Sequence, residues 1–552
     1  MKRIKFRVSI LDTLIITLVV LSVLIFILYP VSTVVYKSFF PKGNFTLEFY
    51  NNLIHSNKKL IFNSLFISSF STVFSTLIAI SVAIYTSFSK PLLKKIIVFV
   101  LLLSMISPPF VSSLAYIQLF GRRGLVTYYF LRLQINPYGW QGIVMMQSLS
   151  MAALNSLMLI ATIKGIDKSL LSASLDLGAN INYTVKKVLI PLMKPGIIVC
   201  ALLSFVRCLS DFGTPIIIGG NFNVLASEIY LKIIGYADLE YASTMNVLLL
   251  IPSLLLFMVY RFYMKKSNSY SVTSSKQTSV EDFRLSKEIG TLLAAISLLF
   301  LSLMIIQYMA ILVSGFSKYS FGKFYWTLDH IKDLSMYNYS SFLRSIAYAF
   351  IAGILGSLLG GLIAYYTERR RIFGMKFIDF ITTLPYIIPG TFFGIGYVLA
   401  FNDYPLMLTG TASIVVLNCI FKQLPMTTKL SAASLLQINK DIENSAKDLG
   451  AKNVFVIKDI IIPSLKPAFL VGFINNFTAT MTTIGAVIFL IYPGQKIATF
   501  ELFDAVTSGN YGEASLIATI IIFITLTVNI LFSKLVIGGN VIANVSTIKE
   551  TN

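Results

Sequence analysis

The chain has 552 residues, of which 56% are hydrophobic and only 12% are charged, and its net charge is +21. Soluble domains carry about 25% charged residues, so this composition excludes an ordinary soluble protein and indicates a membrane protein. Three cysteines and two histidines are too few and too scattered to favour a disulfide framework or a metal site built on these residues.

Apolar stretches recur along the whole chain. A transmembrane helix needs about 20 apolar residues. The basic segment 1–7 precedes a long apolar run without a cleavage site, which predicts an uncleaved first span. The twelve predicted spans are 10–36, 60–86, 92–120, 140–163, 196–219, 244–263, 289–314, 344–367, 374–401, 407–430, 467–492 and 513–537.

The positive charge follows from the topology. With both termini in the cytoplasm, the basic clusters fall between spans on the cytoplasmic side, as the positive-inside rule expects. The clearest clusters are Lys90, Lys94 and Lys95, and Arg369, Arg370 and Arg371. No soluble basic fold is predicted, so nucleic acid is not an expected partner. The lipid bilayer is an expected partner.

Two polar segments between spans have nearly the same sequence. They are 272 residues apart, and 9 of the 20 positions from Asp176 to Pro195 are identical in both. The shared positions of interest are Asp176, Gly178, Ala179, Pro191 and Pro195 in the first segment, and Asp448, Gly450, Ala451, Pro463 and Pro467 in the second. A chain built from two copies of one membrane unit explains this repetition.

Similarity also extends upstream of the polar segments, at an offset of 281 instead of 272. The first copy therefore has about nine extra residues between 121 and 140, where an outer loop tolerates insertion. We predict a first repeat at 1–264, a polar, serine-rich cytoplasmic linker at 265–287 and a second repeat at 288–552. Six spans per repeat give both copies the same orientation, which makes the repeat parallel.

Each polar segment is expected to contain a short helix, at 172–177 and at 443–449, ended by a glycine. Glycine accepts the left-handed backbone conformation that closes many helices. We expect the following proline, Pro191 or Pro463, to stop a second short helix or turn and redirect the chain into the membrane. The result is a helical projection available to a partner. The alternative is an ordinary amphipathic loop.

The spacing of these segments resembles the "EAA" loop of ABC importer permeases. The glycine and both prolines match, whereas the Glu-Ala-Ala positions read Ser172-Ala173-Ser174 and Asn444-Ser445-Ala446, with Glu443 one residue early. The resemblance implies an all-α polytopic membrane protein of the type I, MetI-like fold. It further implies a bacterial inner-membrane location and two partners: a pair of ATP-binding cassette subunits and a periplasmic solute-binding protein.

No phosphate-binding Gly-x-x-x-x-Gly-Lys-Ser/Thr motif occurs in the sequence. We therefore expect a transport subunit that is not itself an enzyme and binds no cofactor. ATP and magnesium would then belong to the partner subunits, and the two polar segments would serve as two docking points.

Ionisable residues inside spans are costly and mark candidate functional sites. Arg207 and Asp211 lie one helical turn apart on the predicted fifth span, whereas the second repeat has Ala479 and Thr483 at these positions. Two interpretations remain open. The two residues form an ion pair that reaches the outer interface, or Asp211 lines the passage or its outer gate.

The segment from Asp211 to Pro215 and from Gly219 to Tyr230 resembles the fused ferric-iron permeases of binding-protein-dependent importers. Ferric iron prefers oxygen ligands, which Asp211, Glu228 and Tyr230 offer. Glu228 and Tyr230 have the alternative role of capping an outer loop. Related fused permeases carry thiamine or phosphonates, so these cargoes remain alternatives.

Two other classes of protein share part of this sequence pattern. A secondary transporter with twelve spans in two parallel halves has a similar layout, but it would carry more carboxylates within its spans and no paired polar loops. A membrane enzyme or assembly scaffold is the second rival. Against the enzyme, the sequence shows no clustered histidine, cysteine or carboxylate set suited to catalysis.

Overall fold

The computed structural model describes residues 10–122, 124–132, 136–167, 169–267, 285–320, 323–337, 339–451, 453–492 and 494–536. Most of the predicted linker, 268–284, lies outside the described residues, as does the basic start at 1–9. The described chain is almost entirely helical. Its two strands, β1 (Ser317–Ser320) and β2 (Lys323–Trp326), pair antiparallel.

The first half contributes thirteen α-helices: α1 Ile10–Val23, α2 Tyr29–Phe39, α3 Glu48–His55, α4 Lys58–Phe88, α5 Pro91–Ile106, α6 Phe110–Phe120, α7 Trp140–Lys164, α8 Ser169–Asp176, α9 Ile181–Thr184, α10 Ile190–Leu209, α11 Gly213–Ile218, α12 Leu225–Ile234 and α13 Leu239–Ser267. A π-helical turn at Leu24–Leu28 joins α1 to α2. The nine extra residues predicted in this half fall in the long connection between α6 and α7.

The second half repeats this order: α14 Lys287–Gly315, α15 Asp329–Tyr337, α16 Tyr339–Ala364, α17 Met375–Ile387, α18 Gly390–Phe401, α19 Ala412–Gln437, α20 Lys440–Asp448, α21 Asn453–Val456, α22 Ile462–Thr482, α23 Ala498–Thr507 and α24 Tyr511–Val536. The short helices α8 and α20 occupy corresponding places, as do the long helices α10 and α22. The shared order confirms the internal repeat.

Eight described helical segments are long and apolar enough to cross a membrane, and two bent helix pairs raise this number to ten. The bent pairs are α5 with α6 (107°) and α17 with α18 (115°). Each bend has a proline, Pro108 or Pro389, at the break, where the missing N–H ends the first helix. The other two predicted spans correspond to α19 and α22, so a count of twelve is not confirmed.

The fifth span of the first half is shorter than predicted. Helix α10 ends at Leu209, and the chain then turns into the separate short helix α11. Asp211 therefore lies beyond the span and not on it, which corrects the prediction that Arg207 and Asp211 share one helix. The cause is local, since Asp211 accepts hydrogen bonds from the first N–H groups of α11 and so starts a new helix.

The first span of each half packs against the other half as well as its own. Helix α2 packs against α18 of the second half as well as α13, and α14 packs against α4 and α6 of the first half. Tyr397 donates to the carbonyl of Phe26 at 2.8 Å, and Gln118 donates to Ser314 at 2.7 Å. The boundary predicted at the linker thus divides the sequence, whereas the packing crosses it.

Candidate functional site

The two polar segments, named here the first repeat loop (165–189) and the second repeat loop (438–461), begin alike. Asp167 accepts a hydrogen bond from the N–H of Ser169 at 2.9 Å, and Asn439, at the same position in the repeat, accepts one from Asp441 at 3.0 Å. Hydrogen bonds from the side chain and backbone of Ser169 hold the pKa of Asp167 below its usual value. Each loop therefore opens with a capped helix.

Both loops end their first helix in the same way. Gly178 has a φ of +84° and Gly450 a φ of +85°. The N–H of Ala179 donates to the carbonyl of Ser174 at 3.1 Å, and Ala451 donates to Ala446 at 2.9 Å. This hydrogen bond over five residues, with a left-handed glycine inside it, closes a helix through its last carbonyls. The predicted glycine caps are confirmed, and each short helix begins three residues earlier than predicted, at Ser169 and at Lys440.

The predicted role of the prolines as helix stops is wrong. A π-helical turn at Val185–Leu189 leads directly into α10, and Pro191 lies in the first turn of that helix. The second loop is identical in plan, with a π-helical turn at Ile457–Ile461 before Pro463. The π-helical turn shifts the hydrogen-bond register directly before each proline, so the chain continues through Pro191 and Pro463 as one helix.

A large apolar side chain is exposed at the end of each short helix. Leu177 is 88% exposed and Leu449 is 90% exposed, and the two occupy the same position of the repeat. Each stands directly before the left-handed glycine, at the tip of its loop. The same exposed leucine at the same position of both repeats makes the two loop tips candidate contact points for a partner.

The first repeat loop is fastened by polar contacts that reach the start of the second half. Ser174 and Thr184 share a hydrogen bond of 2.9 Å within the loop. Asn182 accepts a hydrogen bond from Ser286, whose side chain also caps α14, and donates to Glu288 at 3.4 Å. The loop is therefore tied to the helix that follows the linker.

The second repeat loop is fastened within its own half, through a buried charge. Arg369, the last residue of the π-helical turn (Tyr365–Arg369) that follows α16, lies 3.3 Å from Glu443, and the two side chains are only 5% and 13% exposed. Arg369 also donates to the carbonyls of Leu435 and Ile438, at the end of α19. One guanidinium thus joins α16, α19 and α20.

The corresponding positions of the first half carry apolar residues. Phe88 stands at the position of Arg369, and Leu171 stands at the position of Glu443. Phe88 and Leu171 line one small cavity of about 50 Å³, and Leu171 is buried. The second half thus has an ion pair between span and loop, whereas the first half has two apolar residues at the corresponding positions, in a cavity that Lys94 and Lys164 also line.

Asp211 has a structural set of partners at the end of the bundle opposite to the repeat loops. Its Oδ1 accepts from the N–H groups of Gly213 and Thr214 at 3.1 and 3.2 Å, and its Oδ2 accepts from Gln147 at 3.0 Å. Within the described residues, Arg207 forms no ion pair with it, so the expected pairing is not made. A transport role for Asp211 stays a prediction.

Tyr230 lies where the two halves meet. Its ring stacks on Phe212 at 5.4 Å and approaches Phe489 and Phe503 of the second half at 6.4 and 5.8 Å. These four rings, named here the aromatic contact, join the segment after α10 to the segment after α22. Glu228 stands in the first turn of α12, where the helix dipole favours a carboxylate. Their roles in transport remain predictions.

Lys422, in the middle of α19, is a charged residue that the sequence-based site prediction missed. Its ammonium donates to the carbonyl of Ile388 at 2.8 Å and lies 5.5 Å from the ring of Phe393. Ile388 stands at the bend between α17 and α18, where the broken helix leaves a carbonyl without a helical partner. The signal was available, since Lys422 interrupts a predicted span.

The sequence matches the model of the family described as binding-protein-dependent transport system inner membrane component at residues 75–270 and 352–536, once in each half. The chain belongs to this family. The ferric transport system permease protein FbpB of Actinobacillus pleuropneumoniae is 31% identical over 542 residues, covering 94% of this chain and 77% of that protein.

Two other relatives match different shares of this chain. The putative ferric transport system permease protein FbpB 1 of Haemophilus influenzae is 31% identical, covering 87% of this chain and 78% of its own. The putative 2-aminoethylphosphonate transport system permease protein PhnV of Salmonella typhimurium is 26% identical, covering 40% of this chain and 80% of its own. The iron-named relatives thus match across both halves, whereas the phosphonate-named relative matches a half-length stretch.

Membership in this family makes the chain a multi-pass inner-membrane transport subunit of an ABC importer, which works with an ATPase and a substrate-binding protein. It decides against the secondary transporter and the membrane enzyme. Within the described residues, no group of three or more histidine, cysteine or acidic side chains is placed to hold a metal ion.

Proposed function

We propose that this chain is the permease of an ABC importer for ferric iron, and that it couples to two ATPase subunits through its two repeat loops. The proposed coupling is based on the pair of exposed leucines, Leu177 and Leu449, each placed at a loop tip directly before a left-handed glycine. Support for iron comes from the two relatives named as ferric permeases, which match nearly the whole chain.

In this proposal both termini and both repeat loops face the cytoplasm. An ATPase subunit would receive each short helix, α8 or α20, in a groove that covers the leucine. The permease itself would bind no cofactor, since ATP and magnesium would be held by the ATPase subunits. A periplasmic binding protein would deliver the cargo to the opposite end of the bundle.

Transport would proceed by alternating access between two arrangements of the halves. The aromatic contact supports this proposal, because it joins the halves at the end opposite to the repeat loops. Closing of the ATPase pair would move α8 and α20, and the continuous helices α10 and α22 would carry this motion across the membrane. Separation of Tyr230 and Phe212 from Phe489 and Phe503 would then open the outer side.

The test is uptake by the assembled system. The permease, its ATPase and its binding protein are reconstituted in vesicles that contain ATP, and radioactive iron is supplied on the binding protein. We expect iron accumulation that requires ATP and the binding protein. An assembled complex that hydrolyses ATP in response to its binding protein but accumulates thiamine or a phosphonate, and not iron, would reject iron and keep the coupling.

A phosphonate or a related oxyanion is the second candidate cargo. It is favoured by the relative named for 2-aminoethylphosphonate and by one named for sulfate, a CysT protein of Salmonella typhimurium, which is 24% identical over 42% of this chain. The same vesicles, supplied with labelled 2-aminoethylphosphonate or sulfate in place of iron, separate these cargoes.

A further inference from the structure

A polar cleft lies beside the long connection between α6 and α7, and it is named here the outer cleft. It has a volume of about 430 Å³ and combines one guanidinium with aromatic and amide side chains: Arg122, Tyr138, Trp140, Asn136, Gln141 and Asn221. Helix α7 begins at Trp140, in the wall of this cleft, and ends at Lys164, directly before the first repeat loop. A helix of 25 residues is about 37 Å long, so the outer cleft and the repeat loops lie at opposite ends of the bundle.

Two segments of the chain form the walls of the outer cleft and pack directly on each other. The N–H of Gly139, in the first wall, donates to the carbonyl of Ile218, beside the second wall, at 3.0 Å. Gly220 has a φ of +57°, and a Cβ at this position would lie 3.3 Å from the Cβ of Tyr138. A side chain at Gly220 would therefore strain the backbone and press on the opposite wall. These contacts give the outer cleft a defined shape.

Arg122 gives the outer cleft a positive charge that is not paired within the protein. Its guanidinium carbon lies 6.0 Å from the centre of the Tyr138 ring. Within the described residues, no carboxylate lies within 4.0 Å of Arg122. Arginine beside an aromatic ring binds carboxylates through its paired N–H donors, and the amide groups of Gln141 and Asn221 add further donors in the same cleft. The outer cleft is therefore suited to an acidic side chain.

The second half has the opposite charge at the corresponding place. The connection between α6 and α7 (121–139) contains three arginines and no acidic residue. Its counterpart between α18 and α19 (402–411) is nine residues shorter and contains one acidic residue, Asp403, and no basic residue. The Asp403 side chain is exposed and accepts a hydrogen bond from Asn402 at 3.2 Å. The two halves are therefore alike in helix order and opposite in charge on this face.

We infer that the outer cleft receives an acidic side chain from one lobe of the substrate-binding protein, while Asp403 faces a basic surface on the other lobe. This inference rests on the proposed function, in which that protein delivers the cargo at this end of the bundle. Periplasmic binding proteins close two lobes around their ligand. Two halves of equal charge would admit such a protein in two orientations. Halves of opposite charge admit one, because the reversed orientation places like charges together.

The first experiment finds which lobe lies on which half. The natural cysteines Cys200, Cys208 and Cys419 are buried, so Arg122→Cys and Asp403→Cys each provide an accessible thiol for a photoactivatable maleimide. Each labelled variant is assembled with its ATPase, irradiated with a saturating concentration of iron-loaded binding protein, and analysed by mass spectrometry. We expect Arg122→Cys to cross-link to an acidic surface of one lobe and Asp403→Cys to cross-link to the other lobe.

Cross-links from either position to both lobes would overturn the single orientation. Cross-linking of Arg122→Cys to lipid, and not to the binding protein, would assign the outer cleft to the bilayer and also overturn the inference.

The second experiment measures the contribution of the charge. ATP hydrolysis by the reconstituted complex is followed against the concentration of iron-loaded binding protein. Arg122→Glu should raise the half-saturating concentration about tenfold and leave the maximal rate unchanged, whereas Arg122→Lys should stay within about threefold of wild type. Lys318→Glu is the matched control, because it reverses an exposed positive charge on β1 in the second half, and it should not change this concentration.

Arg122 is exposed, so its variants should assemble, and the unchanged maximal rate reports this directly. A wild-type half-saturating concentration in Arg122→Glu would overturn the inference, as would an equal increase in Lys318→Glu. A wild-type complex whose ATP hydrolysis does not respond to the binding protein would instead reject the proposed function, and the inference with it. The two failures therefore differ in whether the wild-type complex responds.

Discussion

The two repeat loops share one backbone conformation, but different contacts hold each loop in place, and these contacts are called its fastening. Each loop has a capped short helix, a left-handed glycine, an exposed leucine and a π-helical turn that leads into a long helix. The first loop is tied to the second half through Asn182 and has apolar residues, Phe88 and Leu171, where the second half has its ion pair. The second loop is joined to its own span by Arg369 and Glu443.

The difference shows which features the common role requires. A partner that contacts both loops sees the same leucine and the same helix end, so these parts are alike. The inward side of each loop has only to be held, and an ion pair or an apolar contact does this equally well. The comparison predicts that changes at the tips act alike in both loops, whereas changes at the fastenings act on one loop only.

The largest effect is expected from a charge at the loop tips. Leu177→Asp and Leu449→Asp each place a carboxylate in a contact that we propose to be apolar, at a cost of about 2 kcal/mol or more in binding. Both variants should lose most of the bound ATPase and at least about tenfold of the uptake. Co-purification of the ATPase with the permease measures this loss.

Phe373→Asp is the matched control, because Phe373 is fully exposed at the turn between α16 and α17 and does not belong to either loop. It should leave ATPase binding unchanged. Normal assembly of both leucine variants would contradict docking at the tips. A defect in only one of them would show that the loops, despite their common backbone, do not carry equal contacts.

The second prediction concerns the fastening of the second loop. Glu443→Leu leaves the buried guanidinium of Arg369 without its carboxylate, which costs about 3 kcal/mol or more. We expect faster hydrogen exchange in 438–451, a lower melting temperature and reduced uptake, with the first loop unchanged. Hydrogen exchange followed by mass spectrometry separates the two loops.

The double variant Arg369→Phe with Glu443→Leu rebuilds the apolar pair that the first half has at Phe88 and Leu171. It should recover much of the lost protection, because replacing both partners leaves no buried charge. If hydrogen exchange and uptake of the double variant are as impaired as those of Glu443→Leu alone, the ion pair and the apolar pair are not interchangeable. The carboxylate of Glu443 then has a role besides neutralising Arg369.

The sequence predicted the repeat, most of the span positions and the glycine caps, because offsets, hydropathy and glycine preference are local properties. It failed at Pro191, because a π-helical turn changes the backbone hydrogen-bond register, and amino-acid composition does not reveal where such a turn occurs. It also failed to pair Arg369 with Glu443, because this contact joins residues far apart in the chain. The packing of each first span against the other half was hidden for the same reason.

The third prediction returns to a shared feature. Gly178→Val and Gly450→Val force a β-branched residue into the left-handed region, at a cost of about 1–2 kcal/mol each. A Cβ at either position would meet no atom within 4 Å, so the cost is conformational and not steric. Both variants should hydrolyse ATP with weaker stimulation by the binding protein and transport several-fold more slowly.

Asparagine is the control at both positions, because it enters the left-handed region more readily than valine. Gly178→Asn and Gly450→Asn should keep most of the transport. The measurement is uptake per ATP hydrolysed in reconstituted vesicles. Equal activity of the valine and asparagine variants would show that the backbone shape at these glycines is not needed for coupling.

The smallest effect is expected at the polar tie of the first loop. Asn182→Ala removes the hydrogen bonds to Ser286 and Glu288, and because the contact with Glu288 is exposed, the loss should stay below about 1 kcal/mol. Asn180→Ala, in the same loop, removes the side chain that caps α9 and should cost about 1 kcal/mol.

These two variants test whether the tie to the second half matters more than local helix capping. If the tie only positions the loop, hydrogen exchange in 180–189 rises less in Asn182→Ala than in Asn180→Ala, and uptake stays within about twofold of wild type in both. If the contact instead carries motion between the halves, Asn182→Ala lowers uptake more than Asn180→Ala despite its smaller effect on exchange. That reversal would make the two fastenings different in function as well as in chemistry, because the second loop has its fastening inside its own half.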